Sequence, residues 1–319
     1  MITFLGDVAL ISDHMESRYK PTAPYIFNLE YVISDDIYEL TPVKGKINLC
    51  SSNSEFDKIF GTNPIAVNVV NNHIYDFGEK GFKETASTVM DKTIPYIADK
   101  PLFLNDKVCL CSYMLLNDNS FCQFDFDAAK STLSFIKKEK PNVRIVVQLH
   151  WGIENHPCET DQQRNVAHWL IDNGADLIIG HHPHCLQPAE EYKGKMIFYS
   201  LGNALFGNIQ LPSHYDENGL FARIYRLKWQ KWNRKSIAVT WDEDKNQVVQ
   251  IDALYQKGDT LFCAKENISK ESLMYRHTWV HDVVYKFRKY YLFLVSNMFV
   301  DRKVFDVTAL KHELRRKYE

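Results

Sequence analysis

The sequence predicts an α/β fold, and three features of the residue pattern carry this prediction. Short, continuous apolar runs alternate with amphipathic segments up to about position 206, which is typical of buried strands joined by helices. Polar residues follow directly after several of these runs. Beyond about position 220, apolar and polar residues alternate, as expected for antiparallel strands with one solvated face.

The predicted strands of the first part of the chain are short runs in which apolar residues predominate. They are Ile2 to Leu5, Tyr25 to Leu29, Ile65 to Val70, Val108 to Met114, Val143 to Leu149, Leu177 to Ile179 and Met196 to Ser200. Because helical segments separate many of them, we expect a largely parallel sheet. The segment from Ser12 to Pro24 holds two prolines and is predicted to be a loop.

Helices are predicted where apolar residues recur three and four positions apart. The ranges are Glu55 to Phe60, about Glu79 to Lys92, Ala128 to Lys138, and a helix that opens at the capping box Thr160 to Gln163 and stops at Asn173-Gly174. The apolar residues at helical spacing are Phe82, Ala86, Val89 and Met90 in the second helix, and Leu133, Phe135 and Ile136 in the third.

The last third of the chain has a different pattern. Antiparallel strands are predicted at Phe221 to Leu227, Ile237 to Trp241 and Val248 to Leu254, and we expect them to complete a second sheet or cover the edge of the first. From about Ser269 the pattern is helical, with Trp279, Val283, Val284 and Phe287 on one face and a last helix near Val307 to Lys317. We therefore divide the chain into a main domain of residues 1–255 and a helical C-terminal extension of residues 256–319.

Composition excludes some classes of protein. The 319 residues carry a formal net charge of -2, so there is no basic field for nucleic acid. The seven cysteines are scattered without a CxxC pair, which favours free thiols in a reducing compartment. No signal peptide opens the sequence, and the aromatic run from Tyr290 to Val300 is too short for a transmembrane helix. We therefore expect a cytoplasmic protein.

The stretch from Asp176 to His184 is the strongest functional signal. A strand-like run leads into three histidines within four positions, His181, His182 and His184. A single histidine on a strand is usually a hydrogen-bonded core residue. Three together favour a metal site, because imidazole is a good ligand for zinc, iron and manganese. A buried imidazole without a partner, in contrast, costs on the order of 1 kcal/mol or more.

Polar residues stand just beyond several of the predicted strands. They are Asp7, Glu30, Asn72, His73, His150, His182, His184 and Asn203. In open α/β sheets the binding site lies at the carboxyl ends of the strands. We therefore expect these side chains to converge, although they are far apart in sequence.

Six short motifs resemble those of one protein family. In chain order they are Gly6-Asp7, Asn28-Leu29-Glu30, Asn71-Asn72-His73-Ile74-Tyr75-Asp76-Phe77-Gly78 with Gly81, His150-Trp151-Gly152-Ile153-Glu154, Gly180-His181-His182-Pro183-His184 and Tyr199-Ser200-Leu201-Gly202-Asn203. They resemble the CapA family of poly-gamma-glutamate capsule synthesis proteins, whose domain is similar to the calcineurin-like metallophosphoesterase fold. The resemblance implies metallophosphoesterase-like layered sheets flanked by helices, and it covers about residues 2 to 206.

The resemblance also implies a site for one or two divalent metal ions, Mn, Zn or Fe. Its ligands would be Asp7, Glu30, Asn72, His150, His182 and His184, with Glu30 in the place of a carboxylate that bridges two ions. Asp7 and His184 would complete the first position, and Asn72, His150 and His182 the second. His73 would be catalytic, as a proton donor to the leaving oxygen. Four further residues would hold the ligands in place: Asp76, Glu154, His181 and Asn203.

Two departures from the family pattern affect these expectations. The wider superfamily has a histidine two positions after the first aspartate, where this chain has Ala9. The first ion therefore loses an imidazole, so that one ion is expected to bind firmly and the other weakly or not at all. In addition, capsule-type relatives commonly act at the membrane or outside it, whereas this sequence shows no export signal.

Three functional hypotheses follow. The first is a metal-dependent, phosphoesterase-type hydrolase in the synthesis or remodelling of a capsule or other anionic cell-surface polymer, either poly-gamma-glutamate or polysaccharide. The second is a non-catalytic accessory protein of a polymer-biosynthesis assembly. The third is a metal-dependent amide hydrolase or transferase acting on poly-glutamate. The expected partner is a small-molecule or polymer substrate, and the basic stretch Lys311 to Lys317 is either a solvated helix face or a contact with anionic lipid or another protein.

Overall fold

Two sheets pack face to face in this protein, with helices on the outer face of each. The computed structural model describes residues 1–12, 14–36, 39–43, 46–116, 121–215, 221–227, 229–274 and 278–298. Within these residues the predicted α/β fold of layered sheets flanked by helices is confirmed. The predicted last helix near Val307 to Lys317 lies outside the described residues, and so does the basic stretch within it.

The larger sheet mixes parallel and antiparallel pairing. Its strands are β1 (Ile2–Ala9), β2 (Glu16–Ser17), β3 (Tyr25–Leu29), β6 (Ala66–Asn68), β7 (Tyr96–Ile97), β14 (Asn203–Phe206), β17 (Lys235–Asp242), β18 (Gln247–Lys257) and β19 (Thr260–Asn267). Strands β1, β3, β6 and β7 run parallel in this order. On the other side of β1, β17 pairs antiparallel with its first half and β14 parallel with its second half.

The smaller sheet has a parallel centre and antiparallel edges. Its strands are β8 (Leu102–Phe103), β9 (Val108–Leu115), β10 (Arg144–Trp151), β11 (Leu177–His181), β12 (Ala189–Tyr192) and β13 (Lys195–Phe198). The order is β12-β13-β11-β10-β9-β8. Two small pairs complete the strands: β4 (Val32–Ile33) with β5 (Cys50–Ser51), and β15 (Ile209–Tyr215) with β16 (Phe221–Leu227).

Three apolar clusters hold the layers together. Between the sheets, Phe4 and Ile26 of the larger sheet pack in one cluster with Leu177 and Phe198 of the smaller sheet. A second cluster covers the other face of the larger sheet beneath α1 and α2, and a third covers the outer face of the smaller sheet beneath α3 and α4. The helices are α1 (Phe56–Phe60), α2 (Gly78–Asp91), α3 (Phe126–Glu139), α4 (Asp161–Asp172), α5 (Lys270–Leu273) and α6 (Trp279–Met298).

The capping box at Thr160 opens α4 as predicted. The Thr160 hydroxyl accepts from the Gln163 backbone N–H, and the Gln163 side chain accepts from the Thr160 backbone N–H. These two bonds satisfy N–H groups that the first helical turn leaves without partners. The start of α4, and with it the length of the loop after β10, is therefore fixed by local sequence.

The structure corrects several expectations about strand pairing and helix faces. The strands expected in one largely parallel sheet divide between two sheets, and the antiparallel strands β17 to β19 extend the larger one from β1. Met90 is 54% exposed and Phe135 59% exposed. The buried residues of α2 instead include Thr85 and Val89, four positions apart, and those of α3 are Ala129, Leu133 and Ile136, four and three positions apart.

The C-terminal part also differs from its predicted pattern. The division at position 255 falls inside β18, and β19 continues the same sheet to Asn267. The helical part begins at α5, close to the predicted Ser269. On α6, Trp279, Val283 and Phe287 are more than half exposed, so the predicted apolar face is not buried by the described part of the chain. No helix among the described residues combines the length and apolar character needed to cross a membrane.

Candidate metal centre

The two sheets bring their polar residues to one shared edge. Asp7 on β1 stands opposite Asn28 on β3 and Asn203 on β14, while His150 on β10 stands opposite His181 on β11. The polar residues therefore lie at the last positions of the strands as well as just beyond them. This arrangement follows the rule that sites form at the carboxyl ends of parallel strands.

Two glycines allow the strands to come close enough. A Cβ atom on Gly6 would lie 1.8 Å from the carbonyl oxygen of Gly202, and one on Gly180 would lie 2.0 Å from that of Tyr199. Any side chain at either position would push β1 or β11 away from its neighbour. The glycines that precede Asp7 and His181 are thus needed to place these residues beside each other.

The histidine segment adopts an unusual backbone. His182 has φ 94° and His184 has φ 53°, both in the left-handed region that residues with a Cβ seldom adopt. The backbone N–H of His182 donates to Asp7 Oδ2 over 3.3 Å. Such strained positions persist when surrounding contacts enforce them and are common at functional sites. Here they turn His182 and His184 towards the same space.

A buried amide network positions the two carboxylates. Asn28 Nδ2 donates to Asp7 Oδ1 over 2.9 Å and to Glu30 Oε2 over 3.3 Å. Asn28 Oδ1 in turn accepts from the side chains of Asn68 and Asn71, at 3.2 and 3.1 Å. No role is predicted for these three asparagines from the sequence. The signal for Asn28 was its place two residues before Glu30, on the same side of the chain.

The six predicted ligand residues meet in this space, and Glu30 lies at its centre. Glu30 Oε1 is 3.7 Å from His150 Nε2 and 3.6 Å from His184 Nε2. The groups that bring ligand atoms within 4.8 Å of one another are Asp7, Glu30 and His184, then Glu30, His150 and His182, then Glu154, His182 and His184. Asn72 Oδ1 lies 2.8 Å from His150 Nε2, which adds an oxygen to the second group. Glu30 belongs to two groups, the geometry that a bridging carboxylate requires.

The donor set fits a divalent ion. Ligand atoms at about 2.0–2.2 Å from a tetrahedral ion are roughly 3.3–3.6 Å apart, close to the separations around Glu30 Oε1. Among the described residues, Glu30 Oε1 and His182 Nδ1 are buried without a hydrogen-bond partner. Buried polar atoms without partners are costly, and an ion would satisfy them. Carboxylate and imidazole together suit Zn, Mn or Fe.

His73 is oriented by a buried carboxylate. Its Nδ1 lies 2.7 Å from Asp76 Oδ2, and its backbone N–H donates to Asn71 Oδ1 over 3.0 Å. Asp76 is fully buried, accepts from the Leu49 backbone N–H, and has Lys46 Nζ 2.6 Å from Oδ1. Because Nδ1 faces Asp76, the other ring nitrogen of His73, Nε2, points away from this carboxylate. Lys46 was not singled out in the sequence.

The other residues expected to hold the ligands take different places. His181 Nδ1 lies 3.0 Å from Asp7 Oδ1, and Asn203 Oδ1 lies 2.9 Å from His184 Nδ1. Both contact predicted ligands directly. Glu154 is exposed, and its carboxylate lies beside ligand atoms of His182 and His184. It therefore offers an oxygen ligand of its own.

The side chain at position 9 contributes no ligand. Ala9 is fully buried and belongs to the apolar cluster of the larger sheet. His14, the nearest histidine in sequence, has an exposed side chain and is absent from the ligand groups found among the described residues. The group formed by Asp7, Glu30 and His184 therefore has one imidazole, and its other ligand atoms are carboxylate oxygens.

Burial shifts the pKa values of the ligand residues in opposite directions. Burial, together with repulsion from Asp7, Glu154 and Asp76, raises the pKa of Glu30 well above its ordinary value. Burial and neighbouring histidines lower the pKa of His150 well below its ordinary value, and burial lowers that of His182 to about 4. Burial also raises the pKa of Asp7, but the hydrogen bond and charge of His181 outweigh it and leave a lowered pKa. Neutral imidazoles and an ionised Asp7 are the forms that bind metal.

Metal-free protein should lose stability as the pH falls from about 6.5 to about 4. Unfolded histidine titrates near pH 6.5, whereas the pKa of folded His182 is about 4. Between these values the unfolded chain binds the extra proton, so acidification favours unfolding, by about 3 kcal/mol for this group. Urea unfolding in EDTA at a series of pH values measures the effect.

The comparison uses His182→Asn, since asparagine tolerates the left-handed backbone at this position. Glu30 acts in the opposite sense, because its raised pKa makes stability fall as pH rises above the ordinary carboxyl value. Glu30 is present in both wild type and His182→Asn. Subtracting the pH dependence of the free energy of unfolding of one protein from that of the other therefore cancels the Glu30 contribution. The exposed His14 supplies the control, and His14→Asn should keep the wild-type slope. An unchanged slope in His182→Asn would contradict the prediction.

Comparison with known proteins agrees with the resemblance. A family model described as bacterial capsule synthesis protein PGA_cap matches residues 14–98 and 115–208, more than half of the chain. The chain belongs to this family. The matched segments of the PGA_cap model contain Glu30, Asn72, His150, His182 and His184, while Asp7 lies before the first segment.

Individual PGA_cap relatives differ in how much they share. The PGA biosynthesis protein CapA of Bacillus subtilis is 32% identical over 181 residues, which are 50% of this chain and 47% of that protein. The chain thus spans about half the length of this relative. The capsule biosynthesis protein CapA of Bacillus anthracis is 25% identical over 327 aligned residues, covering 86% of this chain and 78% of that protein.

More distant similarities are shorter or weaker. A probable polyglutamine synthesis accessory protein of Mycobacterium tuberculosis is 34% identical over 67 residues, covering 21% of this chain and 18% of that protein. Among solved structures, a novel phosphatase from Mycoplasma pneumoniae aligns with a TM-score of 0.47 and 10% identity, over 82% of this chain and 92% of that chain. Similarity at this level assigns no function.

Proposed function

We propose that this PGA_cap protein is a metal-dependent hydrolase that acts in the synthesis or remodelling of an anionic cell-surface polymer. The observation that carries the proposal is the carboxylate of Glu30. Its Oε1 has no hydrogen-bond partner among the described residues and faces His150 on one side and His184 on the other. Asn28 satisfies only Oε2, whereas a structural carboxylate at this depth would have both oxygens paired with a cation or hydrogen-bonded.

Residues of this chain would hold two divalent ions in this proposal. Asp7, Glu30 and His184 would hold one, with Glu154 beside it, and Glu30, Asn72, His150 and His182 would hold the other. When bound, such ions polarise a phosphoryl or carbonyl oxygen and make water available as a nucleophile near neutral pH. His73 would then protonate the leaving oxygen through Nε2, held in position by Asp76.

Ala9 supports a second candidate function. With a single imidazole at the first position, the site would keep one ion firmly and the other weakly, and the protein would act as a non-catalytic accessory component. The mycobacterial relative is named a probable polyglutamine synthesis accessory protein. The two candidates differ in one measurable property, which is turnover by the metal-loaded protein.

Purified protein should retain Mn, Zn or Fe by elemental analysis and should hydrolyse a small phosphate ester after reconstitution. The matched control is His150→Ala, which removes a ligand from the group formed with Glu30 and His182 and should reduce hydrolysis by at least about a hundredfold. Retained metal without any turnover, in both proteins, would favour the accessory function. Protein that retains no metal and hydrolyses no ester would contradict the hydrolase proposal.

The same assay distinguishes the bond that is broken. The site would act on an amide carbonyl as well as on a phosphoryl group, since both present an oxygen to polarise. Incubation with poly-gamma-glutamate, followed by chromatography of the products, detects shorter glutamate oligomers. Release of oligomers without phosphatase activity would assign the amide hydrolase function in place of the phosphoesterase function.

A further inference from the structure

A basic cavity lies directly behind the histidine segment. It has a volume of about 320 Å³ and is lined by Cys185, Leu186, Lys231, Trp232, Lys235 and Arg288. This volume is at the lower end of the range for small-molecule sites. The lining comes from three parts of the chain: the residues that follow His184, the segment before and at the start of β17, and the middle of α6.

The charge of this cavity is uncompensated. Lys231, Lys235 and Arg288 supply three of the six lining side chains, and none of them forms an ion pair with an acid in the part of the chain that the structure describes. Both lysines are exposed, so their ammonium groups are hydrated and free to move. Three cations around one small cavity attract an anion and lower the free energy of its binding.

Arg288 is held in place by contacts that leave donors for a ligand. Its Nη1 donates to the Asn155 carbonyl oxygen over 3.0 Å, and its guanidinium carbon lies 5.0 Å from the centre of the Trp232 ring. A guanidinium group has five N–H donors. Its Nε and Nη2 atoms make no hydrogen bond to any described residue. An oxyanion would therefore meet an oriented fork, the geometry that arginine uses for carboxylate and phosphate.

The cavity wall is bonded to the candidate metal centre. Asn233, next to Trp232, donates through Nδ2 to the carbonyl oxygen of His184 over 2.8 Å and to Asn155 Oδ1 over 2.7 Å. Trp232 Nε1 also donates to Asn155 Oδ1, over 3.2 Å. The segment that carries His184 into the metal centre thus continues directly into the cavity wall at Cys185.

We propose that this cavity binds a carboxylate of the anionic polymer, one or more units away from the group that is processed at the metal centre. This inference rests on the proposed function for the identity of the polymer, while the anion site itself rests on the three cations. A carboxylate-bearing chain suits the cavity because each unit presents a compact planar oxyanion to Arg288, and the two lysines neutralise its neighbours. Free phosphate shares this chemistry, so the experiment includes both.

The test measures binding of a fluorescent gamma-linked glutamate oligomer, by anisotropy, and of inorganic phosphate, by calorimetry. In Lys231→Gln/Lys235→Gln we expect the oligomer to bind at least about tenfold more weakly than to wild type. The matched control is Lys130→Gln/Lys138→Gln, which makes the same charge change at two exposed lysines of α3 and should leave the affinity unchanged. Arg288→Lys keeps the charge but not the fork and should also weaken binding.

The outcomes separate this proposal from the proposed function. Wild-type oligomer affinity in the Lys231 and Lys235 double variant overturns the cavity assignment, whatever the hydrolysis assay gives. Loss of phosphate binding without loss of oligomer binding assigns the cavity to free phosphate and overturns its assignment to the polymer. Oligomer binding that depends on the two lysines, in a protein that hydrolyses no ester, keeps the cavity and refutes the hydrolase.

Discussion

Glu30→Gln should lose its bound divalent ions and, in the metal-free state, become more stable than wild type. The carboxylate of Glu30 is shared by two groups of ligand atoms, so its removal weakens both ion positions at once. We expect metal affinity and hydrolysis to fall by at least about a hundredfold. Stability changes in the opposite direction, because burial and repulsion from Asp7 raise the pKa of Glu30 and disfavour the ionised form.

The amide of glutamine removes this buried charge with little change of shape. Its oxygen can still accept from Asn28 Nδ2, which now donates to Glu30 Oε2, and its N–H groups face imidazoles. We expect the free energy of unfolding in EDTA at pH 7 to rise by on the order of 1 kcal/mol. Metal content by elemental analysis and urea unfolding with and without metal measure both effects.

The control for the Glu30→Gln prediction is a glutamate on the protein surface. Glu79 is 71% exposed, so Glu79→Gln should change neither metal content nor stability beyond a few tenths of a kcal/mol. If Glu30→Gln bound metal as tightly as wild type, the bridging position of Glu30 would be wrong. If the variant lost stability even in EDTA, Glu30 would be a structural residue paired in some other way.

The strands and their carboxyl ends were predictable because buried strands leave a local signal. The runs Tyr25 to Leu29 and Val108 to Met114 are apolar apart from Asn28 and Ser112, and the structure places strands over almost the same residues. The division into two sheets was not predictable, because it depends on which strands pair. Thr3 and Thr240, whose hydroxyl oxygens are 2.9 Å apart between β1 and β17, are more than two hundred positions apart in the chain.

The candidate site was predictable to the extent that its residues belong to short motifs. The motifs predict Asp7, Glu30, His182 and His184 as ligands, and the structure places these four residues together. Asn28 and Lys46 were missed for different reasons. Asn28 acts through hydrogen bonds to two carboxylates, which become visible only when β1 and β3 are paired. Lys46 reaches Asp76 from an irregular polar segment that has no periodic pattern.

Helix faces were predicted less well than strands because their burial depends on the neighbouring layer. Thr85 is buried in α2, where its hydroxyl donates to the Gly81 carbonyl and accepts from the Ile33 backbone N–H. A polar residue at this position is therefore compatible with the core. Met90, one position beyond the buried Val89, points away from the sheet and is exposed. A prediction from hydrophobicity alone would bury Met90 and expose Thr85, which is the opposite of what the structure shows.

His73→Gln should lower hydrolysis while leaving the metal content unchanged. His73 follows the predicted ligand Asn72 but has its Nδ1 hydrogen-bonded to Asp76, so the imidazole would act on the substrate through Nε2. Loss of a positioned proton donor typically costs about 10²–10⁴ in rate. The measurement is kcat and KM of reconstituted protein, with elemental analysis of the same sample to establish that the ions are present.

The effect should depend on the leaving group, and this dependence distinguishes a proton donor from a structural residue. An alkyl phosphate needs a proton on its departing oxygen, so its kcat should fall by the full factor. A nitrophenyl phosphate leaves as a stable anion, so its kcat should fall much less. Asp76→Asn keeps the shape of the side chain but removes the charge beside His73 and Lys46. Its kcat should also fall more on the alkyl phosphate than on the nitrophenyl phosphate, but by a smaller factor than in His73→Gln. Equal losses on both esters in His73→Gln would mean that His73 positions Asn72 and donates no proton.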